Sequence, residues 1–430
     1  MRKTKLAALV LLAALAAPAR ALIWSIEIVD HPSNAAVGQE SSITLDSAGR
    51  PHIGYRDTIH GSVKYARKNA NGTWTIETVD SPGFAGAGVS LALDPSGAPH
   101  ITYYSGTSIT STGDVRYASR SCWFFGLFCS WSRETIAAGV FSSFQAGNTS
   151  LGFDASGNPN VSYFDHTARQ LKWARKIGGS WSIANVVATS GGSVSQALDA
   201  DGFPHLVFSS SGGTVNYVRI ICVFILCGWN LDPVDSGLAG TLRLDVNGQP
   251  RLSYAQGANI RYAVGACPGS KPCTWTTELV GSAGQPLRPS LALDICTTPH
   301  IAFLRQRGTG IADLVYARRN ATWSLETADL DASSTVIASI AVDAANNPHI
   351  SYQGLTGQPL KHAFGSVHAQ SSARRLPDTA PKAAVPNDGV KPRPSKRSEL
   401  APPVVAACGA APSPGLRRSA DRTRGLSTAG

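Results

Sequence analysis

The chain has 430 residues, 43% hydrophobic and 15% charged, with 42 Gly, 26 Pro, 8 Cys and a formal charge of +10. The positive excess sits at the two ends: Arg2, Lys3, Lys5 and Arg20 at the start, and eleven basic against four acidic residues over 366–430. Between them 23 basic residues meet 24 acidic ones, so the basic balance is no nucleic-acid footprint and a DNA- or RNA-binding function is excluded.

In chain order, Met1-Arg-Lys-Thr-Lys5, the apolar run Leu6–Ala17 and the small-residue site Ala19-Arg20-Ala21 read as a signal peptide over 1–21. The run is too short for a permanent bilayer helix, and no later stretch is apolar enough to span one. The expectation is a secreted or periplasmic monomer with no membrane span.

Trp24-Ser-Ile-Glu-Ile-Val29 follows as an extended segment, and then one phrase recurs seven times. It opens at Leu45-Asp46, Leu93-Asp94, Phe153-Asp154, Leu198-Asp199, Leu244-Asp245, Leu293-Asp294 and Val342-Asp343, the aspartates 48, 60, 45, 46, 49 and 49 residues apart. Within one copy, Ser90–Asp94, Gly97–Tyr103, Val115–Ala118 and Trp131–Ile136 are short β-rich segments separated by Gly, Asn, Ser and Pro. Asp94-Pro-Ser-Gly97 is a tight turn, Asp accepting local N–H groups and Gly taking φ > 0. Four strands per unit of about 50 residues predict propeller blades, and 22–365 holds seven. The fourth strand of six copies starts at Trp74, Trp131, Trp181, Trp229, Trp275 and Trp323, whereas the last copy stops at Leu360-Lys-His-Ala-Phe364 without a Trp. Trp24–Val29 is therefore expected to complete the last blade and close the ring, removing its free edges.

Six cysteines form close pairs, Cys122/Cys129, Cys222/Cys227 and Cys267/Cys273, each between the third and fourth strand of a copy. Disulfides across hairpins are expected for an exported chain; a zinc site needs more ligands than one pair offers. Cys296 and Cys408 have no evident partner. Over 366–430 the composition shifts to Pro, Ala, Arg and Ser, which reads as a disordered basic tail.

Two repeated features suggest chemistry and read as scaffold. His52, His100, His205, His300 and His349 occupy one slot, with Asn160 and Arg251 in the other two copies; blade geometry separates them, so each is expected to bond its own turn Asp or a neighbouring hydroxyl. Asp199-Ala-Asp201-Gly202 lacks the later carboxylates of a calcium loop. No metal or cofactor is expected.

Function is sought where the copies differ, in the loops opposite the Asp turns. Those loops hold Arg56, Asp57 and His60; Tyr104 and the run 105–114; Asp165, His166 and Arg169; Arg305, Gln306 and Arg307; and, before the first strands of blades, Phe141, Phe144 and Arg288. Aromatic, Arg, Asp and His side chains together suit a hydroxyl-rich ligand. The candidate ligand-binding set is Arg56, Asp57, His60, Tyr104, Asp165, His166, Arg169, Arg305 and Arg307, with no catalytic residue assigned.

The Leu-Asp-x-x-Gly-x-Pro-His-Ile-x-Tyr phrase, with Tyr-Ala and Trp-x-Ile-Glu after it, resembles repeats of secreted bacterial β-propeller proteins over about 340 residues. Propellers of similar layout include fucose-binding lectins and sialidases. The resemblance implies a non-catalytic binding propeller that recognises glycan or an extracellular protein. The alternatives are a structural adhesion scaffold or a sialidase-like hydrolase. A hydrolase needs paired carboxylates about 5–10 Å apart, for which Asp57 and Asp165 are the loop candidates, and a sialidase needs an arginine trio, for which Arg56, Arg288 and Arg305 are the positions to inspect.

Overall fold

A computed structural model of the chain describes residues 21–33, 36–106, 112–124, 128–142, 149–223, 226–284, 287–334 and 336–367. All of them belong to one compact unit, 1–371. The leader 1–20, Phe144, Cys408 and most of the expected tail lie outside the described residues, as do 107–111 of the loop after Tyr104 and the side chain of Phe141.

All regular structure among the described residues is β. After β1 (Ile23–Asp30), blade 1 holds β2 (Val37–Leu45), β3 (Pro51–Asp57), β4 (Ser62–Lys68) and β5 (Trp74–Asp80). Blade 2 holds β6 (Phe84–Leu93), β7 (Pro99–Gly106), β8 (Thr112–Trp123) and β9 (Phe128–Ser142). Blade 3 holds β10 (Ser150–Phe153), β11 (Pro159–Asp165), β12 (Gln170–Ile177) and β13 (Ser180–Ala188). Blade 4 holds β14 (Gly191–Leu198), β15 (Pro204–Ser210), β16 (Thr214–Val223) and β17 (Leu226–Ser236). Blade 5 holds β18 (Leu238–Leu244), β19 (Pro250–Gln256), β20 (Asn259–Ala266) and β21 (Thr274–Ser282). Blade 6 holds β22 (Ser290–Leu293), β23 (Pro299–Gly308), β24 (Ile311–Arg319) and β25 (Trp323–Ser333), and blade 7 holds β26 (Ser339–Val342), β27 (Pro348–Gln353) and β28 (Leu360–Ser366). β1 pairs antiparallel with β28, Trp24 opposite Gly365 and Glu27 opposite His362, so the N-terminal strand completes blade 7. The first strands touch their neighbours in sequence, and β26 touches β2, which closes the ring.

The second strand of each blade begins with Pro, a strand position where a missing N–H is tolerated. The turn before it needs φ > 0 three residues after the Asp: Gly97 sits at 85°, and Thr297 and Asn346 take the same slot at 60° and 64°.

The core is divided among the seven seams between blades, one apolar cluster at each. Between blades 1 and 2, for example, fully buried Tyr65, Ile101 and Tyr103 pack with Leu91 and Trp131. Each buried side chain of this size contributes roughly 1.5–3 kcal/mol. The fourth strand of each blade carries a bulge at one place, leaving Val29, Val79, Ile136, Val186, Val234, Val280 or Ala328 without a register partner. All but the half-buried Val234 are buried against a seam.

Hydroxyls knit the inner strands together. Four residues before each turn Asp stands Ser42, Ser90, Ser150, Ser195, Thr241, Ser290 or Ser339. Six of these accept the inner N–H of the next blade: Leu91 N to Ser42 at 3.1 Å, Leu151 N to Ser90 at 3.0 Å, Gln196 N to Ser150 at 2.9 Å, Leu242 N to Ser195 at 3.1 Å, Ile340 N to Ser290 at 3.1 Å and Ile43 N to Ser339 at 3.2 Å.

The three expected disulfides form, with Cα separations of 4.0 Å for Cys122–Cys129, 4.0 Å for Cys222–Cys227 and 4.2 Å for Cys267–Cys273. They fit an oxidising compartment. Cys296 is disulfide-bonded as well. No helix among the described residues is long and apolar enough to cross a membrane.

Candidate functional site

Four of the five repeated histidines bond the neighbouring hydroxyl expected of them, and two of these, His100 and His300, also bond the turn Asp. His52, His100, His205 and His300 accept through Nδ1 from the hydroxyls of Tyr65, Tyr117, Tyr217 and Tyr316 at 2.5–2.6 Å. Their Nε2 atoms face Asp46, Asp94, Asp199 and Asp294 at 3.3–3.6 Å. Each turn Asp also accepts local N–H groups, as Asp94 does from Ser96 at 2.8 Å and Ala98 at 2.9 Å. Burial pushes all four imidazoles below their ordinary value, so they stay neutral. Where the His is replaced, a guanidinium meets the turn: Arg175 on Asp154 and Arg251 on Asp245, both at 2.5 Å. In blade 7, His349 meets His362, which bonds Glu27 of β1 at 2.8 Å. Among the described residues no group of His, Cys, Asp and Glu is placed to hold a metal.

The nine loop candidates fall at three separate places. In blade 1, buried Asp57 caps its own hairpin, accepting from His60 N at 3.1 Å and His60 Nδ1 at 2.8 Å, with Lys64 Nζ at 3.5 Å. At the seam of blades 2 and 3, the fully buried Tyr104 hydroxyl donates to Phe164 O at 2.8 Å and accepts from Phe164 N at 3.0 Å, and its ring lies 6.3 Å from His166. Asp165 accepts from Ala168 N and pairs with Lys172, both at 2.8 Å, while Arg169 stands exposed. In blade 6, Arg305 and Arg307 clamp buried Asp313 at 2.8 and 2.6 Å. Asp57 and Asp165, two blades apart, thus serve as turn caps in separate hairpins.

Of the arginine trio, only two members share a neighbourhood. Arg56 lies over the Phe84 ring, 4.7 Å from its centroid. Arg56 and Arg288 both act electrostatically on Glu40, whose carboxylate bonds Gly88 N. Burial raises the Glu40 pKa against those favourable charges. Arg305 is held by Asp313 instead. Arg288 and Glu40 line a cavity of about 180 Å³ that shares Arg288 and Ile337 with the central channel.

A larger cleft of about 720 Å³ lies between blades 1 and 2, at the end of the ring carrying the Asp turns. Asp46, Arg50, His52, Tyr65, Arg67 and Lys68 form one wall; Asp94, Ser96, His100, Ser119, Arg120 and Ser121 form the other. Most of these charges are matched, Arg50 by Asp46 at 2.7 Å and Arg120 by Glu77 at 2.7 Å. Arg67 is held less closely: it acts electrostatically on Glu77, but its Nε is buried without a partner and, among the described residues, no carboxylate lies within ion-pair distance of it. The same slot holds Arg175 in blade 3, paired with Asp154. Sequence reasoning passed over Arg67 because it belongs to the repeated part of the blade: Arg219 and Arg318 face a His from the same slot, so nothing in the sequence sets Arg67 apart.

No family model matches the chain, and none of the curated proteins searched matches it. Among solved structures, virginiamycin B lyase from Staphylococcus aureus is 11% identical with a TM-score of 0.50, covering 79% of this chain and 99% of that one. The SapL1 lectin in complex with alpha methyl fucoside is 14% identical at a TM-score of 0.45, covering 70% and 98%. The Hadza microbial sialidase Hz136 is 13% identical at 0.42, covering 76% and 65%. At 11% identity the lyase speaks for the fold alone, and the strand pairing itself makes the chain a seven-bladed β-propeller of four-stranded antiparallel blades.

Proposed function

We propose that the chain is an exported, non-catalytic propeller that binds a hydroxyl-rich ligand, a glycan, in the cleft between blades 1 and 2. The observation that carries this reading is Arg67, whose guanidinium lines a polar cleft with an unmatched buried Nε. Around it the cleft offers serine hydroxyls, imidazoles and carboxylates, the donor and acceptor mixture that sugar hydroxyls need. A non-catalytic role is supported by the spent state of the two loop carboxylates: Asp57 and Asp165 each cap a hairpin and face a lysine. Export accords with the leader read from the sequence and with the disulfides. The test is a glycan array on the purified chain with a parallel screen of chromogenic glycosides. Binding without turnover is expected, and Arg67→Ala should weaken it at least about tenfold, the scale of a hydrogen bond to a charged group. Turnover abolished by Asp57→Asn or Asp165→Asn would replace this reading with a hydrolase.

A protein partner is the second reading, favoured by the disulfide-braced hairpin tips. Trp123, Phe124 and Phe128 are 55%, 64% and 56% exposed, and Leu226 on the blade 4 tip is 77% exposed. A silent array would favour this reading.

A further inference from the structure

The ring of hydroxyl-to-amide bonds around the axis breaks at one seam. Between blades 5 and 6, Thr241 turns its hydroxyl to Pro289 O at 3.5 Å, and Ser253 donates to the same carbonyl at 3.2 Å. At this seam the central channel, about 400 Å³, carries two guanidiniums, Arg243 and Arg288. Arg243 stands two residues before its turn Asp, a slot filled elsewhere by Thr44, Ala92, Gly152, Ala197, Ala292 and Ala341. Six blades therefore form with a small residue there, so blade formation does not require an arginine. Arg288 comes six residues before its Asp, the slot Glu40 fills in blade 1.

Arg243 Nη1 donates to Leu242 O at 2.8 Å, and among the described residues no carboxylate pairs with it. Burial alone pushes its pKa down to about 10, which leaves it charged at neutral pH. Arg288 is pushed down by burial and partly held up by Glu40. A guanidinium withdrawn from bulk water without a counter-charge is unfavourable, and a bound anion relieves it through charge-assisted hydrogen bonds.

We propose that the channel at the seam of blades 5 and 6 binds a small oxyanion, a carboxylate or sulfate group, held by Arg243 and Arg288 within the hydroxyl-lined wall. The group reaches the site free or carried on an acidic sugar; only the second source rests on the glycan reading.

The test titrates the purified full chain with sodium sulfate, sodium acetate, sodium glucuronate and neutral glucose at constant ionic strength, reading the thermal midpoint and the heat of binding. A ligand that binds only the folded state raises the midpoint saturably, whereas general salting effects do not saturate. The expected result is saturable binding of at least one oxyanion and none of glucose. Arg243→Gln should weaken binding at least tenfold, Arg243→Lys should retain part of it, and Lys271→Gln, outside the channel lining, should leave it unchanged. Equal binding of acetate and glucuronate supports a site for the free anion, and binding of glucuronate alone supports the sugar as carrier. A flat titration with all three anions, or an undiminished response in Arg243→Gln, overturns the proposal. Arg67→Ala leaves this titration untouched, so the two readings fail separately.

Discussion

Tyr163 shows how finely the seams are matched. In four blades the fifth residue of the second strand is a tyrosine whose hydroxyl crosses the seam to the Asp after the previous blade's bulge. Tyr55 reaches Asp30 at 2.6 Å, Tyr103 reaches Asp80 at 2.7 Å, Tyr254 reaches Asp235 at 2.6 Å and Tyr352 reaches Asp329 at 2.5 Å. Where that slot holds Val187 or Gly281, the facing residue is Phe208 or Phe303, with no hydroxyl to satisfy. Blade 3 breaks the match: the slot holds Ala137, and the fully buried Tyr163 hydroxyl has no partner. Lys172, whose counterparts Lys64, Arg116 and Lys361 pair with the missing Asp, turns to Asp165 at 2.8 Å. A buried hydroxyl without a partner is a liability, so Tyr163→Phe is expected to stabilise by about 1 kcal/mol and Tyr103→Phe to destabilise by about 1–2 kcal/mol. Urea denaturation of the two variants separates these signs; equal effects would contradict the match. Neither partner is visible from local sequence, because the Tyr and its Asp belong to different blades.

At the level of the strand, β1 does more than fill a vacancy. Trp24 packs edge-on to Tyr316 at 5.4 Å and its indole N–H donates to Glu326 at 3.3 Å, both in blade 6. Val29 enters the cluster between blades 7 and 1, and Asp30 holds Tyr55 and Lys64 of blade 1. One strand thus bonds three blades. Removing Leu22–Asp30 is expected to lower the thermal midpoint by about 10 °C or more, since it exposes parts of two seam clusters and a strand edge. An unchanged midpoint by calorimetry would show that the ring closes without it. The pairing of β1 with β28 was legible from the seventh Trp at the wrong end of the chain. The bulges were not, because a bulge follows from the register of two strands and leaves only an ordinary Val or Ile in the sequence.

For the whole molecule, the imidazole belt makes stability depend on pH. His52, His100, His205 and His300 are held neutral by burial, and His362 is pushed from 6.5 down to about 4 by burial against its Glu27 bond. The unfolded chain takes up protons below pH 6.5 that the folded ring does not, so stability falls as pH drops from about 6.5 toward 4. Burial raises the pKa values of Asp46, Asp94 and Asp294, but hydrogen bonds to each carboxylate, with the Arg50 charge beside Asp46, outweigh it, and all three end below the usual carboxylate range. Their stabilisation is present above the unfolded value and fades at still lower pH, extending the loss. Thermal midpoints should therefore decline as pH falls from about 6.5 to 4.5; a flat profile would show that the imidazoles are protonated in the folded ring. By itself the sequence determined the number of blades, the strand that closes them, the three hairpin disulfides and the scaffold role of the repeated His and Asp, because each arises from pairing within one repeat and recurs at its period. The tertiary structure alone decided which polar residues meet a partner and which line a cleft or channel. Asp57, Tyr104, Asp165 and Arg305 read as binding candidates in the sequence, which does not show the partners Lys64, Phe164, Lys172 and Asp313 that meet them across a hairpin or a seam. Arg67, Arg243 and Arg288 look ordinary until ring closure gathers them on a cleft and a channel wall, since convergence about an axis leaves no spacing in the chain.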